Sequence, residues 1–187
     1  HPVSLQHIFR GKERGAPIIV VDPRFSRTAA HADQFIRIRS GSDIPFVWGM
    51  LWHIFENRWE DKSFIDQRVY GMEEIRKEVA NWPPAEVERV SGAKEADVYQ
   101  AAKTMAEHRP GTVIWCMGIT QHTVGNSNTR ALCILQLALG NMGVSGGGTN
   151  IFRGHDNVQG ATDFGVVSNS LPGYYGLAEG AWEHWAR

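Results

Sequence analysis

The feature that most constrains the fold of this chain is its alternation of short β-branched runs with amphipathic helical stretches. Three runs have the length and composition of strands: "PIIVVD" (17–22), "QFIRIR" (34–39) and "TVIWCM" (112–117). The first and third are almost wholly apolar and are predicted to be buried, whereas the second alternates apolar with polar residues. Strands that alternate with helices favour parallel pairing. The sequence therefore predicts an α/β fold, with a parallel sheet flanked by helices.

Apolar residues at helical spacing predict the helices of this layer. One helix follows "SGSD" (40–43), which offers a capping serine or aspartate. Two more occupy 94–108 and the stretch near 127–139, which Gly140 ends. Their predicted inward faces consist of Phe46, Val47, Met50, Leu51, Ile54, Phe55, Val98, Ala101, Ala102, Met105, Ala131, Leu132, Leu135 and Leu139.

Charge and composition exclude several classes of function. The 187 residues include 20 acidic and 19 basic side chains, so no basic excess exists to neutralise nucleic-acid phosphates or to bind a membrane surface. No apolar run approaches the roughly 20 residues that span a bilayer, and direct membrane insertion is not expected. Cys116 and Cys133 lie in apolar segments and are interpreted as buried thiols. Phosphate-loop, zinc and serine-hydrolase motifs are absent, so no self-contained metal site is expected.

Polar residues follow each predicted strand, where parallel α/β sheets gather ligands. Asp22 can accept from a ribose hydroxyl or a guanine edge and Arg24 can hold a phosphate, although Asp-Pro also marks turns. The stretch 40–43 is explained by helix capping alone. Gly118 lets a ligand approach the backbone and Gln121 offers a donor and an acceptor, against the alternative of a polar loop.

The tail has lost the alternation and is instead dense in glycines and polar groups. "GGGTNIFRGHDNVQG" (146–160) can wrap around a rigid polar ligand. Glycines expose backbone amides, and side-chain amides can form hydrogen bonds with the polar edges of such a ligand. Arg153 stands beside a glycine and can present its guanidinium bidentately to a carboxylate. A structured surface loop is the alternative interpretation.

These stretches together resemble a known family. Residues 113–165 resemble the catalytic subunit of molybdenum- or tungsten-dependent formate dehydrogenases, in the dimethyl sulfoxide reductase superfamily, and 18–43 is similar to its segment for a guanine dinucleotide. "HPV" at the start and "LPGYYGLAEGAWEHWAR" (171–187) also resemble that family, and only 60–108 is generic. The chain is interpreted as an internal fragment of such a subunit.

The resemblance implies a role for each candidate residue and a division of the chain. Residues 1–150 would form a Rossmann-like layer that binds molybdopterin guanine dinucleotide. Residues 151–187 would form an irregular active-site loop and a crossover towards a neighbouring domain. Arg153 would orient formate, as the catalytic residue. The residues implied to bind the cofactor are Asp22, Arg24, Gly41 and Asp43 at the guanosine end, Met117, Gly118 and Gln121 along the pterin, and Gly154 and His155 beside it.

The resemblance also implies cofactors and partners that this chain does not itself encode. They are a bis-molybdopterin guanine dinucleotide centre with molybdenum or tungsten, a [4Fe-4S] cluster in a missing N-terminal part, an iron–sulfur electron-transfer subunit and a membrane cytochrome subunit. "RGH" with "GATD" resembles the respiratory, membrane-associated branch, which implies a periplasmic location. The fragment alone is expected to be inactive. The alternatives are a nitrate reductase-like molybdopterin oxidoreductase and a non-catalytic α/β nucleotide-binding or interaction module.

Overall fold

The computed structural model describes residues 2–187, and most of its elements are short helices. The helices are α1 (Pro2–Glu13), α2 (Asp43–Glu56), α3 (Lys62–Arg68), α4 (Met72–Val79), α5 (Pro84–Ser91), α6 (Glu95–Glu107), α7 (Met117–Thr120), α8 (Gly125–Ala138), α9 (Val158–Asp163) and α10 (Glu179–Trp185). The strands are β1 (Ile19–Val21), β2 (Gln34–Ile36), β3 (Thr112–Trp115) and β4 (Gly148–Ile151). Among residues 2–187, every helix is either too short or too polar to cross a membrane.

Two compact units make up the chain. The first ends at Asn150 and the second is Ile151–Arg187. The first unit holds α1 to α8, β1 to β3 and all but the last residue of β4. The second holds α9 and α10, with a 3-10 turn at Pro172–Tyr174 between them.

The strands β1 and β2 pair in parallel, with Ile19 opposite Gln34 and Val21 opposite Ile36. The amide of Asp22 donates to the carbonyl oxygen of Ile36 at 3.1 Å, so the pairing continues one residue beyond β1. The predicted α/β class with parallel strands flanked by helices is confirmed. The described strands form two two-stranded sheets, β1–β2 and β3–β4, where the sequence predicts a single one.

Two strands predicted to be buried are only partly so. Val21 at the end of β1 is 37% exposed, and in β3 only Trp115 is buried. The prediction of fully buried strands was wrong because each strand has just one neighbour and lies at an edge, where one side of the ladder faces outward.

Helix α2 forms the centre of the first unit. Its buried face packs with α5, α6 and α8, and Leu51 and Ile54 are wholly buried. A Cβ on Gly49 would lie 2.7 Å from Cγ1 of Val87, so only glycine lets α5 approach this closely. Of the predicted inward residues, all are buried except Met105 and Leu132, which are half-buried against the same core.

Two local predictions were wrong in detail. Ser42 precedes α2, but its hydroxyl donates to the carbonyl oxygen of Arg39 at 2.6 Å and does not cap the helix amides. The stretch 117–122, predicted as a polar loop, begins with the single-turn helix α7, and the amide of Gln121 donates to the carbonyl oxygen of Met117. A side-chain amide stabilises this turn from α8, because Nδ2 of Asn128 donates to the carbonyl oxygen of Ile119 at 3.1 Å.

The second unit is less irregular than the sequence predicts. Asn157 adopts a left-handed backbone and caps α9, with its side chain accepting from the amide of Gly160 at 3.2 Å. Tyr175 stacks on His184 of α10, with 5.9 Å between ring centroids. Polar composition at 153–163 therefore coexists with a short capped helix.

Candidate functional site

The end of β1 presents Asp22 and Arg24 as predicted. Oδ1 of Asp22 accepts from the amide of Arg24 at 2.7 Å, which closes a turn around Pro23. Arg24 is exposed and lines an open depression of 450 Å³ together with Phe25, Ser26, Arg27 and Thr28. The turn interpretation is correct, and it leaves the second carboxylate oxygen of Asp22 and the whole guanidinium of Arg24 available to a ligand.

The segment after β2 places Gly41 and Asp43 at the start of α2. Gly41 has φ +82°, a conformation that favours glycine, and no atom lies within 4 Å of the position of a Cβ on it. Asp43 is half-buried in the first turn of α2, where a carboxylate complements the helix dipole. Because β1 and β2 are parallel, these residues and Asp22 all leave the same edge of one sheet.

The end of β3 presents Met117, Gly118 and Gln121 on and after α7. Met117 is 43% exposed, Gly118 and Gln121 are exposed, and no atom lies within 4 Å of a Cβ on Gly118. The indole Nε1 of Trp115, two residues before Met117, is buried and has no hydrogen-bond partner among the described residues. Buried indole N–H groups usually have a hydrogen-bond partner, so this one needs an acceptor, such as a water molecule, that the described residues do not supply.

Arg153 lies in the second unit and is half-buried. Its Nη1 donates to Oγ1 of Thr162 on α9 at 3.1 Å, and the same hydroxyl donates to the carbonyl oxygen of Val158 at 2.8 Å. Gly154 and His155 are exposed. No carboxylate within residues 2–187 forms an ion pair with Arg153. Its positive charge therefore remains available to an anion.

The structure brings together some of the predicted residues. The guanosine-end candidates follow β1 and β2, whose C-terminal ends lie at one edge of the same sheet, whereas the pterin candidates follow β3 in the other sheet. Arg153, Gly154 and His155 belong to the separate second unit. The roles of all these residues stay predictions.

The residues present fit a nucleotide cofactor better than a directly bound metal. Within residues 2–187 no three histidine, cysteine, aspartate or glutamate side chains lie close enough together to hold a metal ion. Both cysteines are half-buried and unpaired, and burial raises the pKa of the Cys133 thiol. The half-buried carboxylate of Asp22, the exposed guanidinium of Arg24 and the open glycines instead suit a polar ligand with a flat ring and phosphates.

The fold and these strand ends define a cofactor-binding α/β unit. The family model described as molybdopterin oxidoreductase matches residues 1–175, and the chain belongs to this family. The resemblance drawn from the sequence is thereby confirmed at the level of the family, and a molybdopterin cofactor is the group that its members bind.

Similar proteins carry more specific names. The chain is 38% identical to formate dehydrogenase H of Escherichia coli K12 over 174 residues, which are 93% of this chain and 24% of that protein. It is 35% identical to the nitrate-inducible formate dehydrogenase major subunit of the same organism, covering 95% of this chain and 23% of that protein. Among solved structures, acetylene hydratase from Pelobacter acetylenicus is similar with a TM-score of 0.74 and 26% identity, over 76% of this chain and 20% of that one.

The alignments also differ in length. The chain spans about a quarter of the length of these curated relatives. The alignment with the nitrate-inducible major subunit runs over 234 positions, more than the 187 residues of the chain, so that relative has an insertion that this chain lacks. The alignment with formate dehydrogenase H needs no such insertion.

Sequence reasoning missed two groups that the structure places at these sites. Thr162 is not among the predicted site residues, although the capping pattern of Asn157 with Gly160 places it in the last turn of a short helix. The unpartnered indole N–H of Trp115 has no signature in the sequence, because only the packing around it shows that no acceptor from residues 2–187 is within reach.

Proposed function

We propose that the chain is part of the catalytic subunit of a formate dehydrogenase. The observation that carries this proposal is the guanidinium of Arg153, which is half-buried, held by a hydroxyl and free of any carboxylate among the described residues. The curated relatives described above are named formate dehydrogenases, and their substrate is a carboxylate, which an arginine of this kind is suited to bind.

The proposed reaction converts formate to carbon dioxide, one proton and two electrons. The molybdopterin-bound metal, when present, supplies the two-electron redox chemistry. Arg153 would hold the planar substrate anion through two parallel N–H donors and so fix the direction of its C–H bond. Gly154 and His155 follow this arginine in the chain, and both are exposed.

The edge of the β1–β2 sheet would hold the guanosine end of the cofactor. Asp22 can accept from the N–H groups of a guanine edge through its second carboxylate oxygen, and Arg24 can contact phosphate. Gly41 would let the nucleotide lie against the backbone, since nothing occupies the space above it. Met117, Gly118 and Gln121 would line the pterin, with open space beside Gly118.

Replacing Arg153 in the full-length protein tests the substrate role. We expect Arg153→Ala to lower kcat/KM for formate by more than about a thousandfold, because both orientation and charge are lost. Arg153→Lys should recover little of the lost kcat/KM, because a lysine ammonium cannot bind a carboxylate bidentately. Arg68→Ala removes an exposed arginine from α3 and is the matched control. Formate turnover by Arg153→Ala at the wild-type rate would refute the proposal.

Asp22 allows the nucleotide role to be separated from the turn. Asp22→Asn keeps an oxygen that can accept from the Arg24 amide but loses the carboxylate, so the fold should persist while bound guanine nucleotide falls. Asp22→Ala should lose both the hydrogen bond to the Arg24 amide and the bound guanine nucleotide. The measurement is guanosine monophosphate released by acid from the purified full-length protein, with thermal unfolding alongside. Equal nucleotide content in Asp22→Asn and wild type would contradict the assignment.

The partners and location follow from the same proposal. An iron–sulfur cluster and an electron-transfer subunit would carry the electrons away, with a membrane cytochrome subunit and a periplasmic location in the respiratory branch. Turnover of nitrate rather than formate would assign the chain to the alternative, nitrate reductase-like function.

A further inference from the structure

The acceptor that holds the guanidinium of Arg153 is a neutral hydroxyl. Oγ1 of Thr162 accepts from Nη1 at 3.1 Å, and its own proton is directed to the carbonyl oxygen of Val158, four residues earlier in α9. With its proton committed to the helix, the hydroxyl offers its lone pair to the guanidinium in a fixed direction. The contact therefore orients Arg153 without neutralising its charge.

The residue next to Thr162 is an aspartate that would neutralise this charge if it paired with Arg153. Asp163 is instead engaged elsewhere: the hydroxyl of Tyr174 donates to its Oδ1, and Nε2 of Gln159 donates to the same atom at 3.0 Å. The hydrogen bond to Asp163 raises the pKa of Tyr174, and the positive charge of Arg153 acts in the opposite direction. The charge of Arg153 is thus close enough to interact electrostatically with Tyr174.

The backbone conformation of Tyr174 supports a functional role for its hydrogen bond to Asp163. It has φ +64°, in the left-handed region where non-glycine residues are uncommon, and it follows Gly173 at φ +73°. Such a conformation is unfavourable unless surrounding contacts hold it, and it concentrates at functional sites. Here the contact is the hydrogen bond from the Tyr174 hydroxyl to Asp163.

We propose that Thr162 is a positioning residue that orients Arg153 for a substrate carboxylate, while Tyr174 and Gln159 hold Asp163 away from that guanidinium. This inference rests on the proposed function, since it assumes that Arg153 binds the substrate. Its chemistry is general for anion sites: a carboxylate anchor would compete with the substrate anion, whereas a hydroxyl anchor does not.

The test uses the full-length protein with the variants Thr162→Val and Thr162→Ser. Valine keeps the size and branching of threonine without the hydroxyl, and serine restores it. We expect Thr162→Val to raise KM for formate about tenfold, the usual consequence of losing a hydrogen bond to a charged group, and Thr162→Ser to stay near wild type. Thr129→Val is the matched control, because Oγ1 of Thr129 makes the same helix bond, to Gly125 at 2.9 Å, and contacts no guanidinium.

A binding measurement that needs no turnover accompanies the kinetics. Nitrate is a planar anion without a C–H bond, and its Kd for the oxidised protein, measured by calorimetry, should rise about tenfold in Thr162→Val. Tyr174→Phe combined with Gln159→Leu removes both donors to Asp163 and should weaken nitrate binding several-fold. Pterin and metal content should equal that of the wild type in every variant.

Each outcome supports or overturns the inference. Wild-type Kd and KM in Thr162→Val, or equal losses in the valine and serine variants, would overturn the role of Thr162. A lower pterin content or melting temperature in Thr162→Val but not in Thr129→Val would assign Thr162 a structural role and overturn it too. Unchanged nitrate binding in the variant that combines Tyr174→Phe with Gln159→Leu would overturn the role of Asp163. If Arg153→Ala itself leaves formate and nitrate binding intact, the proposed function fails first.

Discussion

A buried amide joins α8 to the starts of β3 and β4, and its removal gives a sharp test of how the first unit is held together. Gln136 is fully buried, and its Nε2 donates to the carbonyl oxygen of Gly111 at 2.9 Å and to that of Gly148. Its Oε1 accepts from Nδ2 of Asn141 at 2.9 Å. Gln136→Met keeps the length of the side chain and removes all three hydrogen bonds.

The expected cost follows from the groups left behind. A buried polar group without its partner costs about 1–3 kcal/mol, and the carbonyl of Gly148 keeps a bond from the Thr112 hydroxyl at 3.2 Å. We therefore expect Gln136→Met to lower the free energy of unfolding by about 3 kcal/mol, a large part of the 5–15 kcal/mol that is usual for a domain. Urea unfolding of the chain, followed by tryptophan fluorescence, measures it.

An exposed glutamine on a neighbouring helix provides the control. Nε2 of Gln100 donates to the Thr104 hydroxyl at 3.1 Å on the surface of α6, so Gln100→Met should change stability by less than about 0.5 kcal/mol. A loss in Gln136→Met below about 1 kcal/mol, or one equal to that of Gln100→Met, would refute the reasoning that the buried amide network stabilises the starts of β3 and β4.

Two further predictions concern a buried histidine and a pair of glycines. Burial lowers the pKa of His53 from its ordinary value of 6.5, so the unfolded chain binds the proton more tightly and stability is lost as the pH falls below that value. The urea midpoint should fall between about pH 7.5 and pH 5, less steeply in His53→Phe, and equal slopes would contradict this. Gly118→Ala meets no atom within 4 Å and should leave stability unchanged while lowering pterin content in the full-length protein. Gly125→Ala brings a Cβ within 2.1 Å of the Thr120 carbonyl oxygen and should instead lower stability by about 1–3 kcal/mol. Wild-type pterin content in Gly118→Ala would refute the placement of the pterin.

The helices were predictable because helical periodicity is a local property of the sequence. The apolar stripe of α2 from Phe46 to Phe55 is buried as expected, and α8 ends before the left-handed Gly140. The strands were predictable in position but not in burial or partners. Strand pairing joins residues far apart in the chain, such as Ile19 with Gln34, and no short-range pattern states how many neighbours a strand will have.

The candidate site likewise combines residue types that the sequence predicts with contacts that only folding fixes. The sequence by itself determined the residue types that can bind a nucleotide and a carboxylate, Asp22, Arg24 and Arg153, because chemistry belongs to the side chain. Only the tertiary structure decided that, among the described residues, Arg153 meets a hydroxyl of α9 and no carboxylate, and the indole N–H of Trp115 meets no acceptor. The charge and proton state that a site presents depend on which groups lie within about 3 Å, and that distance is fixed by folding, not by order along the chain.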